Sequence, residues 1–294
     1  MSKFAKYLLF TFVSTWILVI IGIHDRNLGT MAGDMGFSRM LALSMFMPTL
    51  GVLFAGGKFR DMGWKLDSSR NWKLILLAWF IPTVFQIVGS VFYYMVFPVD
   101  LDIYGTFLKE TDPSAFEGLE KNGGSYLGYV SKEIFYSLTS FYTFLGVFTG
   151  LGEEIGWRGF MFPELVEGMG RTKGLLVGGV IHGAWHFPLI LFAGYEYGTH
   201  YIGAPLLGLP VFCIFTVSTG IISYWFYERS ESIWLPAIVH GATNATFNPY
   251  MLGGSVRRTI FGPSMVGLIG VIPFAVFAVY LLCTWGKKEE DAVS

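Results

Sequence analysis

Three short patterns in this 294-residue chain place acid–base side chains at helical spacing. The first is Gly152-Glu153-Glu154-Ile155-Gly156-Trp157-Arg158-Gly159. Adjacent glutamates point about 100° apart on a helix, so one carboxylate can face a site while the other makes a supporting contact. Glu154 and Arg158 stand at i, i+4 with the glutamate N-terminal, the better order for a helical ion pair. Arg158 can then hold one carboxylate ionised and leave the other free for proton transfer. Two carboxylates side by side in a low-dielectric place cannot both ionise cheaply, which drives their proton affinities apart. Taken alone, the pattern describes a solvated charge cluster at a helix end equally well.

The second pattern is His182 and His186, again at i, i+4 and so on one helix face. The spacing suits a metal pair, or one catalytic and one packing histidine. Pro188 follows and frees backbone carbonyls near His186. The third is His240 and Asn244, an imidazole and an amide on one face. Such a pair can donate hydrogen bonds to a developing oxyanion, or simply join two helices. Pro236, one turn earlier, is expected to open that helix. Gly146, Gly150, Gly152 and Gly156 form two small-xxx-small pairs that allow another helix close to the carboxylates. His24 and His200 lie near loop ends with no catalytic company. One echo is visible: Ile181-His182-Gly183-Ala184-Trp185-His186 resembles Val239-His240-Gly241-Ala242-Thr243-Asn244, too briefly to prove a duplication.

The elements that must position these groups are membrane helices. The chain is 53% apolar and only 14% charged, with mean hydropathy +0.54 and a formal charge of -1. That excludes a disordered chain. With no basic run to neutralise phosphates, it also argues against a nucleic-acid partner. The two cysteines, Cys213 and Cys283, make no disulfide framework and read as small packing residues inside apolar runs. Runs near the 20 residues a bilayer span needs are Lys6–Ile23, Arg39–Ala55, Leu74–Phe97, Tyr126–Gly150, Leu175–Ala193, Pro205–Phe226, Ile233–Phe247 and Ser264–Trp285. The expected fold is an all-α, polytopic integral membrane protein of about eight transmembrane helices. The first span reads as retained, the fourth as continuing to about Phe160, and the seventh as the weakest. A single membrane domain covers 1–294, with Pro98–Ser125 as the longest loop.

Lysine and arginine placement sets the orientation. Lys3, Lys6, Lys58, Arg60, Lys65, Arg70, Lys73, Arg158, Arg171, Lys173, Arg229, Lys287 and Lys288 fall on one side, 13 of the 20 basic residues. This predicts a multi-pass protein of the cell membrane with both termini cytoplasmic. At about 1.5 Å per residue, the polar groups of the three patterns lie roughly 10–18 Å from the cytoplasmic span ends and meet at similar depth. Ionisable groups inside spans are costly and are functional candidates for that reason.

These motifs resemble those of the CPBP family of intramembrane proteases, which joins type II CAAX prenyl endopeptidases to Abi-type bacteriocin-processing and self-immunity proteins. Glu-Glu-x-x-x-Arg falls on Glu153, Glu154 and Arg158, Phe-x-x-x-His on His186, and His-x-x-x-Asn on His240 and Asn244. The phenylalanine position is His182 here, which leaves that residue's role open. The likeness is specific from about Thr143 to Pro249, the expected catalytic core. It implies that Glu153 and His186 activate water and that His240 and Asn244 hold the oxyanion, with Glu154 and Arg158 in support. It also implies a membrane-associated peptide or protein substrate, prenylated in the CAAX branch. Family members are described both as metalloproteases and as metal-free glutamate proteases. A divalent metal such as zinc would fall to Glu153, Glu154, His186 and His240, with His182 behind them. The lack of a compact ligand triplet leans toward no permanent metal. The competing readings are a non-catalytic self-immunity or peptide-binding protein and a proton-coupled transporter.

Overall fold

The computed structural model describes residues 1–139 and 141–285. Among them are fourteen α-helices and no strand: α1 (Lys3–Arg26), α2 (Met31–Ser44), α3 (Met47–Phe54), α4 (Ser68–Val96), α5 (Thr106–Thr111), α6 (Pro113–Lys121), α7 (Tyr126–Thr139), α8 (Phe141–Gly156), α9 (Phe162–Met169), α10 (Arg171–Trp185), α11 (Phe187–Ala193), α12 (Gly208–Ser230), α13 (Trp234–Asn244) and α14 (Ile272–Thr284). Large apolar side chains cover the outside, such as Leu9, Val13, Ile17 and Ile20 on α1 and Val276 and Val279 on α14. A soluble protein does not present stripes of this kind to water, whereas lipid tails accept them. The protein is an all-α, polytopic membrane protein.

The number of full spans is smaller than the hydropathy suggests. Among the described residues four helical runs are long and apolar enough to cross a bilayer: α1, α4, α10 with α11, and α12. Counting the bent pairs α2–α3 (43°) and α7 with the α8–α9 run (53°) as one span each makes six. The expected seventh and eighth spans form helices of only 11 and 13 residues. At about 1.5 Å per residue these fall short of a hydrocarbon core of about 30 Å. The reason is local. Residues 245–271 run through turns and two short 3-10 segments, Pro249–Leu252 and Val256–Arg258, rather than α-helix. Gln86 of α4 satisfies that irregular backbone, donating to the Pro263 carbonyl (2.9 Å) and accepting from the Met265 N–H (2.9 Å). Non-helical backbone is tolerated inside a membrane protein only when such bonds are supplied.

Other expectations shift as well. The Pro98–Ser125 loop contains α5 and α6, the latter started by Pro113 and capped by Asp112, which accepts from Ala115 N–H (3.0 Å). Arg158 is buried among helices and is not a loop charge, and Lys287 and Lys288 lie outside the described residues. Cys213 packs against Gly183, whereas Cys283 is exposed on α14. Pro236 sits in the first turn of α13, where its missing N–H would have no partner, so it begins the helix rather than opening it.

The centre of the molecule is α8, α10, α12 and α13. The two glycine pairs serve two faces of α8. Gly146 and Gly150 face Gly241 and His240 of α13, and Gly152 and Gly156 face residues 45–48 before and within α3. The start of α13 is tied down from the other direction. Ile233 N–H donates to the Gly63 carbonyl (2.9 Å) and Trp234 Nε1 to the Trp64 carbonyl (2.9 Å).

Candidate active site

Helix α8 runs into a wide π-helical turn at Trp157–Met161 before α9 begins. Pro163 causes it, since its missing N–H leaves the Gly159 carbonyl without the usual i+4 donor. Two i, i+4 contacts precede the turn in parallel. Arg158 Nη1 donates to Glu154 Oε1 at 2.8 Å, and Trp157 Nε1 donates to Glu153 Oε2 at 3.0 Å. Glu153, Glu154 and Arg158 are only 3%, 1% and 1% exposed, so the pattern is no solvated cluster. Arg158 also lies over the ring of Phe162 (5.0 Å) and donates to the Thr219 carbonyl (3.4 Å).

Helix α13 brings His240 against the same carboxylates. Its Nδ1 lies 2.8 Å from Glu154 Oε1. A carboxylate only accepts, so Nδ1 carries the proton in that contact. Its Nε2 lies 3.9 Å from Glu153 Oε1. Glu154 Oε1 thus receives both Arg158 and His240, while among the described residues Glu153 Oε1 accepts no hydrogen bond. Asn244, the last residue of α13, lines the same cavity and is exposed.

The helix formed by α10 and α11 breaks at His186, just before Pro188. His186 Nδ1 pairs with the His182 carbonyl (3.2 Å), which assigns the proton to Nδ1 and leaves Nε2 as an acceptor. The ring stacks near-parallel on Tyr195 (13°, 6.0 Å) and packs against Phe212 (4.9 Å). His182 is the histidine nearer to Glu153, its Nε2 3.4 Å from Oε2. Both ring nitrogens of His182 are buried without a hydrogen-bond partner. Trp157 lies beside it, ring centroids 4.9 Å apart. His24 and His200 are exposed and off the cavity.

All six residues carrying the sequence motifs line one cavity of about 460 Å³. Leu189, Phe212, Phe215 and Val266 give it apolar wall, and Gln86, Tyr195, Glu196 and Tyr250 add polar groups. Residues 135–246 match the family described as Type II CAAX prenyl endopeptidase Rce1-like. That match supports the CPBP family. Consistent with a CPBP core, a stretch of 102 residues is 30% identical to CAAX prenyl protease 2 of Methanococcus maripaludis. The alignment covers 34% of this chain and 37% of that relative, so the chain spans just over a third of the curated protein it matches.

His240 bonds Glu154 and His186 bonds the His182 carbonyl through Nδ1, which leaves Nε2 of both rings and Glu153 Oε1 as the available donor atoms. Among the described residues no three His, Cys, Asp or Glu converge closely enough to hold an ion. As arranged they do not fit a hydrolytic zinc site with three protein ligands.

The sequence motifs assign no role to Trp157 and place His182 behind His186. The signal for Trp157 was its i+4 spacing from Glu153, the same as Arg158 from Glu154. Glu196 belongs to none of the motifs, although it is the only Asp or Glu between Glu167 and Glu228.

Proposed function

We propose that the chain is an intramembrane endopeptidase that hydrolyses a peptide bond of a membrane-associated peptide or protein, of CAAX type or bacteriocin-like, with water activated by Glu153. The observation that carries this reading is the asymmetry of the two glutamates. Among the described residues Glu154 Oε1 takes both Arg158 and His240 and its Oε2 is buried without a partner, while Glu153 Oε1 bonds to neither and lies 3.9 Å from His240 Nε2 in the cavity wall. The charges also close. Arg158 and a protonated His240 balance two ionised carboxylates, and a His240 that donates from Nδ1 to Glu154 has an N–H on Nε2 only as the imidazolium.

In this mechanism Glu153 takes a proton from water as its oxygen adds to the scissile carbonyl carbon. The carbonyl π pair moves onto oxygen, where His240 Nε2–H and the Asn244 amide receive the negative charge. His186 Nε2 accepts from the same water and orients it. When the tetrahedral adduct collapses, the C–N bond breaks and the leaving amine takes the proton from Glu153. Glu154 and Arg158 touch no reacting atom and act by holding His240 in place. No step runs through a metal.

Both termini are placed on the cytoplasmic side of the cell membrane, on the strength of the basic residues of 58–73. Purified full-length protein in nanodiscs, given a fluorogenic peptide library, tests the activity. Cleavage that disappears in Glu153→Ala is the expected result. Peptides bound but never cut would make the chain a binding or self-immunity protein, and electrogenic uptake in liposomes would make it a transporter.

A further inference from the structure

The mechanism above leaves Glu196 without work, yet the fold takes trouble over it. Glu196 lies in the turn after α11, where Gly194 (φ 65°) and Glu196 itself (φ 66°) both adopt left-handed backbone. A glutamate there is strained and persists only where its surroundings hold it. Tyr195 N–H donates to the Leu189 carbonyl (3.1 Å), Tyr197 N–H to the Tyr195 carbonyl (2.8 Å) and Gly198 N–H to the Gly194 carbonyl (2.8 Å). Tyr197 is anchored again at long range. Its hydroxyl donates to the Val266 carbonyl (2.8 Å), and its own carbonyl accepts from Thr259 Oγ1 (2.6 Å). The turn makes half-buried Glu196 part of the cavity wall, next in sequence to the tyrosine that stacks on His186.

Among the described residues no Lys, Arg or His pairs with this carboxyl. Among the described residues Arg158 is the only Arg or Lys in the cavity wall, and Glu154 holds it. Tyr250, in the same wall, has a buried hydroxyl without a partner. Burial pushes the Glu196 carboxyl up, with a side-chain hydrogen bond to Tyr195 acting the other way. A carboxyl in this position is neutralised either by a proton or by a cation brought in from outside.

We propose that Glu196 determines specificity, selecting peptides that place a positively charged group beside the Tyr195–His186 stack. The group is a Lys or Arg side chain or a free amino terminus. The inference rests on the endopeptidase reading, which makes the occupant a peptide. It also means that a peptide whose C-terminal carboxylate must sit at this spot meets a like charge and is disfavoured.

The test uses full-length protein in nanodiscs and matched fluorogenic peptides carrying Lys, norleucine or Glu at one scanned position. Each is made with a free and an acetylated amino terminus. Wild type is expected to prefer the Lys peptide, or the free-amine peptide, over its neutral match by about tenfold or more in kcat/KM, as for a charge-assisted hydrogen bond. Comparing the two arms separates side chain from terminus. Glu196→Gln should abolish the preference while leaving the neutral peptide within about twofold, less than a hydrogen bond's worth. Glu196→Lys should turn the preference toward Glu. Should the Gln variant fold poorly, Glu196→Asp keeps the charge and should keep the preference. Cleavage with no charge preference at any position, or an unchanged preference in Glu196→Gln, overturns the proposal and leaves the protease reading standing. If no peptide is cut, the protease reading fails. Anisotropy binding of the same labelled peptides then decides on Glu196: Lys-peptide binding about tenfold weaker in Glu196→Gln supports it, and equal binding overturns it.

Discussion

Replacing Gly241 by alanine tests whether the approach of α13 to α8 sets the catalytic geometry. A Cβ at Gly241 would lie 2.5 Å from Val147 N, 2.7 Å from Gly146 C and 2.9 Å from Thr143 O. All three are backbone atoms, so no side chain can turn aside. For the methyl to reach ordinary contact the helices must part by roughly 1 Å, because a close-packed interior has no slack to absorb it. His240 is the next residue, and its Nδ1 would move from 2.8 Å to about 3.8 Å from Glu154 Oε1, outside hydrogen-bond range. A misplacement of that size costs on the order of 10² in kcat. The overpacking itself should destabilise by about 1–3 kcal/mol, although alanine is the better helix former by about 1 kcal/mol. The control is Gly168→Ala in α9, where a Cβ meets nothing within 4 Å. It should be neutral or slightly stabilising, by about 0.5–1 kcal/mol. Turnover on a fluorogenic peptide and melting temperature in nanodiscs, measured on both variants, check the reasoning. A Gly241→Ala protein that melts early but whose folded fraction turns over normally would show that the contact packs helices without positioning His240.

Further outcomes are expected at the same site and at the outer loops. Arg158→Ala leaves Glu154 poorly compensated and should cost about 3–5 kcal/mol, lowering folded yield and activity together, with Arg158→Lys only partly restoring both because lysine lacks the fork. Asn244→Ala should lower kcat by about 10²–10³ with KM little changed in steady-state kinetics, since the negative charge it meets exists only after water adds; a raised KM alone would make it a positioning residue. His186→Ala should abolish cleavage, whereas His182→Phe should keep turnover near wild type, since among the described residues neither His182 nitrogen makes a hydrogen bond; a marked loss of kcat in His182→Phe would give that histidine a part beyond packing. Arg258 hydrogen-bonds to Asp100 and holds its carboxyl below the ordinary range. A depressed carboxyl contributes stability above its unfolded value, about 3.9, and loses it as pH falls through the folded value. The melting-temperature advantage of wild type over Asp100→Asn should therefore be constant near neutrality and shrink below about pH 4; an advantage that persists at low pH would mean that the ion pair does not carry it.

What could be read without coordinates was local. The pairing of Glu154 with Arg158 follows from the helical repeat alone, and the close approach of another helix to the Gly146–Gly156 stripe follows from residue size, although not that α13 and residues 45–48 take its two faces. Membrane burial follows from composition, because apolar surface has few other places to go. The span count did not follow. Hydropathy sums side chains, whereas the lengths of α13 and α14 were decided by turns that Gln86, 177 residues before Pro263, keeps satisfied.

The choice between His182 and His186 also needed tertiary structure. Two residues at i, i+4 share a face, but the ring that meets a carboxylate depends on what packs around it. Trp157 and Glu153 take His182, while the helix break before Pro188 lets His186 bond back to its own helix and stack on Tyr195. The echo between Ile181–His186 and Val239–Asn244 acquires a physical meaning in three dimensions. In each helix the histidine places Nε2 near one oxygen of Glu153, and the following glycine admits a neighbouring helix. Glu196 marks the far limit of legibility. Its isolation in an apolar stretch was visible, but its place in the cavity wall comes from a left-handed turn held by Val266 and Thr259, and contacts between residues that distant in sequence exist only once the chain has folded.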